Sequence, residues 1–121
     1  MDFYEFSKND PRTLQTPAGD YAWRYEDIPY VLSYVEKMGG TVLGADTWTE
    51  NWDFFFTNWH YDPPRCTDLN IPRAAEAVSA ESIRVFQETL QDFCERYGSN
   101  FYFVITVMSR GRLLIDLADS L

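Results

Sequence analysis

A single histidine, His60, bounds the chemistry that this sequence can carry. A metal site built on it needs carboxylates as its other ligands, and Asp46, Asp53 and Asp62 lie nearby in the chain. Such oxygen-rich sets suit hard cations. No EF-hand loop, P-loop, GxGxxG or HExxH pattern is present. Cys66 stands beside Arg65, a neighbour that favours the thiolate, whereas Cys94 falls beside the apolar stripe of a helix and reads as a small core residue. Neither has a histidine at the spacing of a known cysteine nucleophile. With no CxxC pair, the two read as free thiols of a reducing compartment. Nineteen acidic residues offer some carboxylate pair in almost any fold, so pairing alone does not point to glycoside hydrolysis. The expectation is no catalytic set, no cofactor and no resident metal. One competing reading is a small hydrolase in which Asp46, Asp53, His60 and Asp62 converge in a pocket.

Charge narrows the partners. Ten Lys and Arg against 19 Asp and Glu leave a net charge of −9 over 121 residues. Nucleic acid and anionic lipid repel such a chain, since binders of either carry basic patches. Basic proteins attract it. No apolar run approaches the ~18 residues of a membrane span, and the start, Met1-Asp2-Phe3-Tyr4-Glu5, lacks the basic and apolar regions of a signal peptide. A cytoplasmic protein is expected.

The elements that must position these groups read as one domain, 1–121, of the length and 45% hydrophobic content that support a packed core. Residues 1–24, broken by Pro11, Pro17 and Gly19, read as an irregular arm. A helix follows, capped by Asp27, with Pro29 in its first turn and Ile28, Val31, Leu32, Val35 and Met38 on one face. Gly39-Gly40 ends it. Strands at Thr41–Trp48 and Trp52–Tyr61 flank a turn at Thr49-Glu50-Asn51 and form an antiparallel hairpin. Pro63-Pro64 stops the second strand, and residues 63–78 read as a connection with a helical turn at Arg73–Ala77. Ser79 caps a second helix to Tyr97, striped by Ile83, Phe86, Leu90, Phe93 and Tyr97. Phe101–Met108 is the clearest strand, and Ser109–Arg112 a turn. The tail Leu113–Leu121 fits strand or helix equally. The expected fold is α+β, two main helices on one face of a small, mainly antiparallel sheet.

The distinctive stretch is Asp46–Pro64, which holds four acids (Asp46, Glu50, Asp53, Asp62), three tryptophans and no Lys or Arg. Strand alternation splits its second half into two faces. Trp52, Phe54, Phe56, Asn58 and His60 form the expected core side. Asp53, Phe55, Thr57, Trp59 and Tyr61 form a mixed acidic and aromatic side suited to protein binding, where Trp and Tyr supply hot spots. Burial of both sides is the plainer alternative.

The first helix, then Val42–Trp48 with Gly44, Asp46 and Trp48, followed by Asn58, Trp59 and Tyr61, resemble the immunity protein 40 type of bacterial polymorphic-toxin immunity proteins. Ala45 stands where that pattern has a second glycine, and His60 intrudes between Trp59 and Tyr61. The resemblance spans about residues 28–62. It implies a small α+β protein, made beside a toxin, that binds the toxin inside the producing cell. Many such toxins are nucleases with basic clefts, the charge complement of this chain, and in the barnase–barstar pair close charges couple by ~1.5–7 kcal/mol. The partner-binding residues expected are Asp46, Trp48, Glu50, Asp53, Asn58, Trp59, His60, Tyr61 and Asp62. An acidic adaptor for a basic protein outside any toxin system is the other alternative.

Overall fold

The computed structural model describes residues 2–121, and for residues 56–58 it describes the backbone only. The elements run α1 (Phe3–Asn9), β1 (Leu14–Gln15), β2 (Tyr21–Arg24), a 3-10 turn (Tyr25–Asp27), α2 (Ile28–Met38), β3 (Thr41–Thr49), β4 (Phe54–His60), α3 (Ile71–Tyr97), β5 (Phe101–Met108) and α4 (Arg110–Asp119). All strand pairs are antiparallel, in the order β1-β2-β5-β3-β4. The helices pack against this sheet, which makes the α+β architecture expected from the sequence.

Burial of apolar stripes explains the layering. Ile28, Val31, Leu32 and Val35 of α2 and Ile83, Phe86, Leu90 and Phe93 of α3 meet Trp23, Val42, Ala45, Trp59, Phe103 and Ile105 of the sheet in one core. Gly39 ends α2 at φ +72°, a left-handed conformation that costs glycine little. A second, smaller core joins Cys66, Ala75, Val78, Leu113 and Leu117 where α4 lies on the start of α3.

Three local expectations need correction. The arm expected over 1–24 is not irregular in its described part, residues 2–24. Asp2 caps α1 by accepting the Glu5 N–H at 2.8 Å, and Phe6 stacks on Tyr34 of α2 with ring centroids 4.1 Å apart. A seven-residue helix cannot hold itself in water, so docking rather than periodicity makes it. The second main helix begins at Ile71 rather than after Ser79. Asn70 is its cap, accepting the Arg73 N–H at 3.2 Å, and Pro72 occupies the first turn, where the missing N–H costs nothing. Ser79 is buried instead, its hydroxyl donating to the Gly40 carbonyl at 2.6 Å. Ser82 one turn on accepts the Val42 N–H at 3.0 Å and donates to the Ser79 carbonyl at 2.8 Å. The two serines therefore stitch α3 to the beginning of β3. Finally, Ser109–Arg112 is the start of a helix. The Ser109 hydroxyl accepts the Arg112 N–H at 3.2 Å, and Leu113 and Leu117 are buried, which decides the open question at the tail in favour of α4.

Candidate functional site

The sheet has two faces; the large core fills one, and among the described residues the other is open at Arg24, Phe54, His60 and Thr106. Strand register sorts the side chains, because directly paired residues point the same way. Trp23, Phe103 and Thr47 share the inner face, as do Ile105, Ala45 and Trp59. Of the alternate residues, Arg24, Gly44, Asp46, Trp48, Phe54, His60, Tyr102, Val104 and Thr106 belong to neither core cluster, whereas Met108 at the end of β5 packs on the second. One row of them crosses four strands: Arg24 pairs with Tyr102, Tyr102 with Trp48, and Trp48 with Phe54. Asp46 opposite Val104 forms the next row, then Thr106, Gly44 and His60.

The first row is mostly aromatic and partly exposed. Phe54 is 55% exposed, while Trp48, Trp52 and Tyr102 are half-buried. The Trp48 and Phe54 rings meet edge to face at 5.5 Å, and the Arg24 guanidinium lies 5.9 Å from the Tyr102 centroid. Trp52 joins them from the hairpin turn, its ring 4.6 Å from that of Tyr102.

The turn itself is unusual. Trp52 donates its N–H to the Thr49 carbonyl at 2.9 Å, and the Asp53 N–H reaches the Thr49 hydroxyl at 3.0 Å. This closes a three-residue loop of the type that places its last residue in the left-handed region, a position that favours glycine. Here it is Trp52, at φ +64°, the one non-glycine with positive φ among the described residues. A bulky residue held there costs of order 1–3 kcal/mol, and such strain gathers at functional sites. What it secures is the indole on Tyr102.

Gly44 shapes the other end. A Cβ there would overlap the Trp59 carbonyl oxygen, so the irregular pairing of β3 with β5 between Val42 and Gly44 sits where the β4 backbone comes closest. This is the physical demand behind the first glycine of the sequence motif.

The predicted binding residues distribute unevenly. Trp48 is on the open face, and Asp46 beside it is half-buried. Glu50 and Asp53 are exposed in the turn at the rim of the aromatic row. His60 and Asp62 are exposed at the far end of β4, paired Nε2 to Oδ1 at 2.8 Å. Asn58 lies outside the residues whose side chains are described. Trp59 is a correction. It is 8% exposed and wedged against Phe86, Phe93 and Phe103 at ring distances of 5.4, 5.4 and 5.8 Å, so it is core and not a contact residue. Tyr61 turns inward as well. Burial, then the nearby charge of Glu81, pushes its phenol above the usual range. Four residues of the second strand thus face the opposite way from the expectation: Phe55 and Trp59 point to the helices, and Phe54 and His60 point out. α3 reaches Phe55 and Trp59, and no local pattern marks which side it covers.

Asp46, Asp53, His60 and Asp62 do not form one cluster. Asp53 immediately precedes β4 and His60 ends it, roughly 23 Å apart for seven residues of extended chain. Sequence reasoning missed Arg24 and Tyr102. A signal existed for Tyr102: it and Thr106 are the polar members of an otherwise apolar strand, and both fall on its outward side. Comparisons with protein-family models, with curated proteins and with solved structures give no match. Among the described residues no helix is long and apolar enough to cross a membrane.

Proposed function

We propose that this protein is a cytoplasmic immunity protein whose open sheet face docks a basic toxin domain and blocks it. The observation that carries the reading is Trp52, held in a strained backbone conformation that lays its ring on Tyr102 in an uncovered aromatic row. A fold that needed only a tight turn is better served by glycine. Phe54, Trp48, Trp52 and Tyr102 supply the flat, pre-oriented rings that dominate protein–protein hot spots. Asp46, Glu50 and Asp53 surround them with negative charge, and the chain as a whole carries −9. Resemblance to immunity proteins of the immunity protein 40 type supports a toxin as the partner.

Charge and rings have separate tasks. Exposed carboxylates steer encounter over a Debye length of ~8 Å at physiological salt, so they govern association. Desolvated rings govern dissociation, at ~2 kcal/mol or more for each truncated hot spot. The test is to look for a toxin gene beside the one for this chain and to measure binding kinetics against its purified toxin domain at two salt concentrations; the absence of such a gene also counts against the reading. Phe54→Ala and Trp52→Ala should speed dissociation, and Asp53→Asn should slow association and flatten its salt dependence. A toxin domain that does not bind, or that binds all three variants like wild type, would defeat the reading. An enzyme or an adaptor outside any toxin system would then take its place.

A further inference from the structure

On the covered side of the sheet, α2 and α3 run antiparallel and leave a groove between them. Its larger lobe, about 690 Å³, lies between Tyr25 and Gly98, and its smaller lobe, about 330 Å³, between Gly39 and Ala75. Gln87 lines both, so the two lobes meet end to end at that side chain. Tyr25, Pro29, Leu32, Glu36 and Gly39 form one wall, and Ala80, Ile83, Gln87, Gln91, Cys94 and Gly98 mark the other. On both walls the positions recur every three or four residues, so the channel follows the helix axes for ~20 Å at 1.5 Å per residue.

We infer that this groove takes a basic amphipathic helix of a partner protein. A guest with the same three-to-four-residue repeat can follow both walls at once, which is the helix-in-groove mode of recognition. The channel is much longer than a small ligand. Leu32, Ile83 and Leu90 of the core form its floor, and exposed Tyr25, Pro29 and Ala80 add apolar surface at a rim that is otherwise polar. Charge selects the guest. The larger lobe is lined by Glu26 and Glu95 with no Lys or Arg. In the smaller lobe Glu36 and Glu76 face Arg84 and Arg110, and Arg84 is already engaged by Glu88 at 2.9 Å. A second copy of this chain brings another −9 to the contact, so a foreign helix with lysines or arginines flanking an apolar stripe is the occupant. This surface lies on the opposite side of the sheet from the aromatic row and stands independently of it.

The probe is a synthetic peptide of about 14 residues, the length that spans the channel, with leucines at i, i+3, i+4 and i+7 and lysines beside them. A scrambled peptide of the same composition is the control. Binding to the full chain is followed by fluorescence anisotropy, and the site by amide NMR shifts. The amphipathic peptide should bind at least about tenfold tighter than the scrambled one, with shifts on α2 and α3. Gln87→Trp, which fills the waist from an exposed position, should abolish the difference while the urea midpoint stays put; Gln91→Trp serves if that variant misfolds. Glu26→Gln with Glu95→Gln should weaken binding and its salt dependence. Equal binding of both peptides, shifts confined to Trp48, Phe54 and Tyr102, or a Trp variant that folds and binds like wild type would each overturn the inference.

Discussion

Replacing Trp52 separates strain from recognition. Two variants remove the same ring from Tyr102, Trp52→Gly and Trp52→Ala, and differ only in what the backbone tolerates at φ +64°. An L-residue pays ~1–2 kcal/mol in the left-handed region. Glycine escapes that cost but gives up ~0.5–1 kcal/mol of additional backbone entropy on folding. The balance leaves Trp52→Gly more stable than Trp52→Ala by roughly 0.5–1 kcal/mol, the reverse of the usual ranking of the two residues. For a domain of this size that is roughly 2–5 °C in Tm. Against wild type, Trp52→Gly also loses a ring contact worth ~0.5–1.5 kcal/mol, so relief and loss nearly cancel and its stability stays close to that of the parent. Urea denaturation of the three proteins, with binding kinetics measured in parallel, makes the comparison. A parent-like midpoint with faster partner release in Trp52→Gly is the expected outcome. Should Trp52→Ala equal or exceed Trp52→Gly in stability, the turn stores no strain and the argument from Trp52 to function collapses.

Three further outcomes follow from the packing. Gly44→Ala drives a methyl into the Trp59 carbonyl, and forced overpacking of this kind costs ~1–3 kcal/mol, read as a lower urea midpoint. Ser82→Ala leaves the Val42 N–H buried without its acceptor at ~1–3 kcal/mol, and hydrogen exchange at that amide should accelerate. Asp68 accepts two hydrogen bonds from Arg73, at 3.0 and 3.1 Å, and one from the Asn70 N–H, which hold its carboxyl below the ordinary value. Its stabilisation is therefore full above the unfolded-state pKa of ~3.9 and lost as pH falls through the lower folded value. Wild type and Asp68→Asn should differ in urea midpoint near neutrality and converge in strong acid; a constant gap would refute the assignment.

Much of the architecture was legible in local chemistry. The stripe of Ile28, Val31, Leu32 and Val35 and the stop at Gly39 specify α2 without reference to anything else, because a 3.6-residue repeat and a left-handed cap are local properties. The hairpin and the strand at Phe101–Met108 follow in the same way from β-branched and aromatic runs bounded by turn residues. The acidic charge and the concentration of rings in Asp46–Pro64 are likewise compositional.

What tertiary structure alone decided is which side of each element faces inward. β4 is aromatic on both sides, so alternation could not say whether Phe54 or Phe55 meets the helices, and only the position of α3 beside it made Trp59 core and Phe54 surface. α1 exists because Phe6 finds Tyr34, a partner from a later helix. Ser79 reads as a cap on its own and is a buried cross-link once Gly40 is within 2.6 Å. Arg24 and Tyr102 join Trp48 and Phe54 across strands far apart in the chain, in a row created by the order β2-β5-β3-β4. Local sequence specifies the period of an element, but its buried face is a property of the neighbours that sheet order and helix placement bring to it.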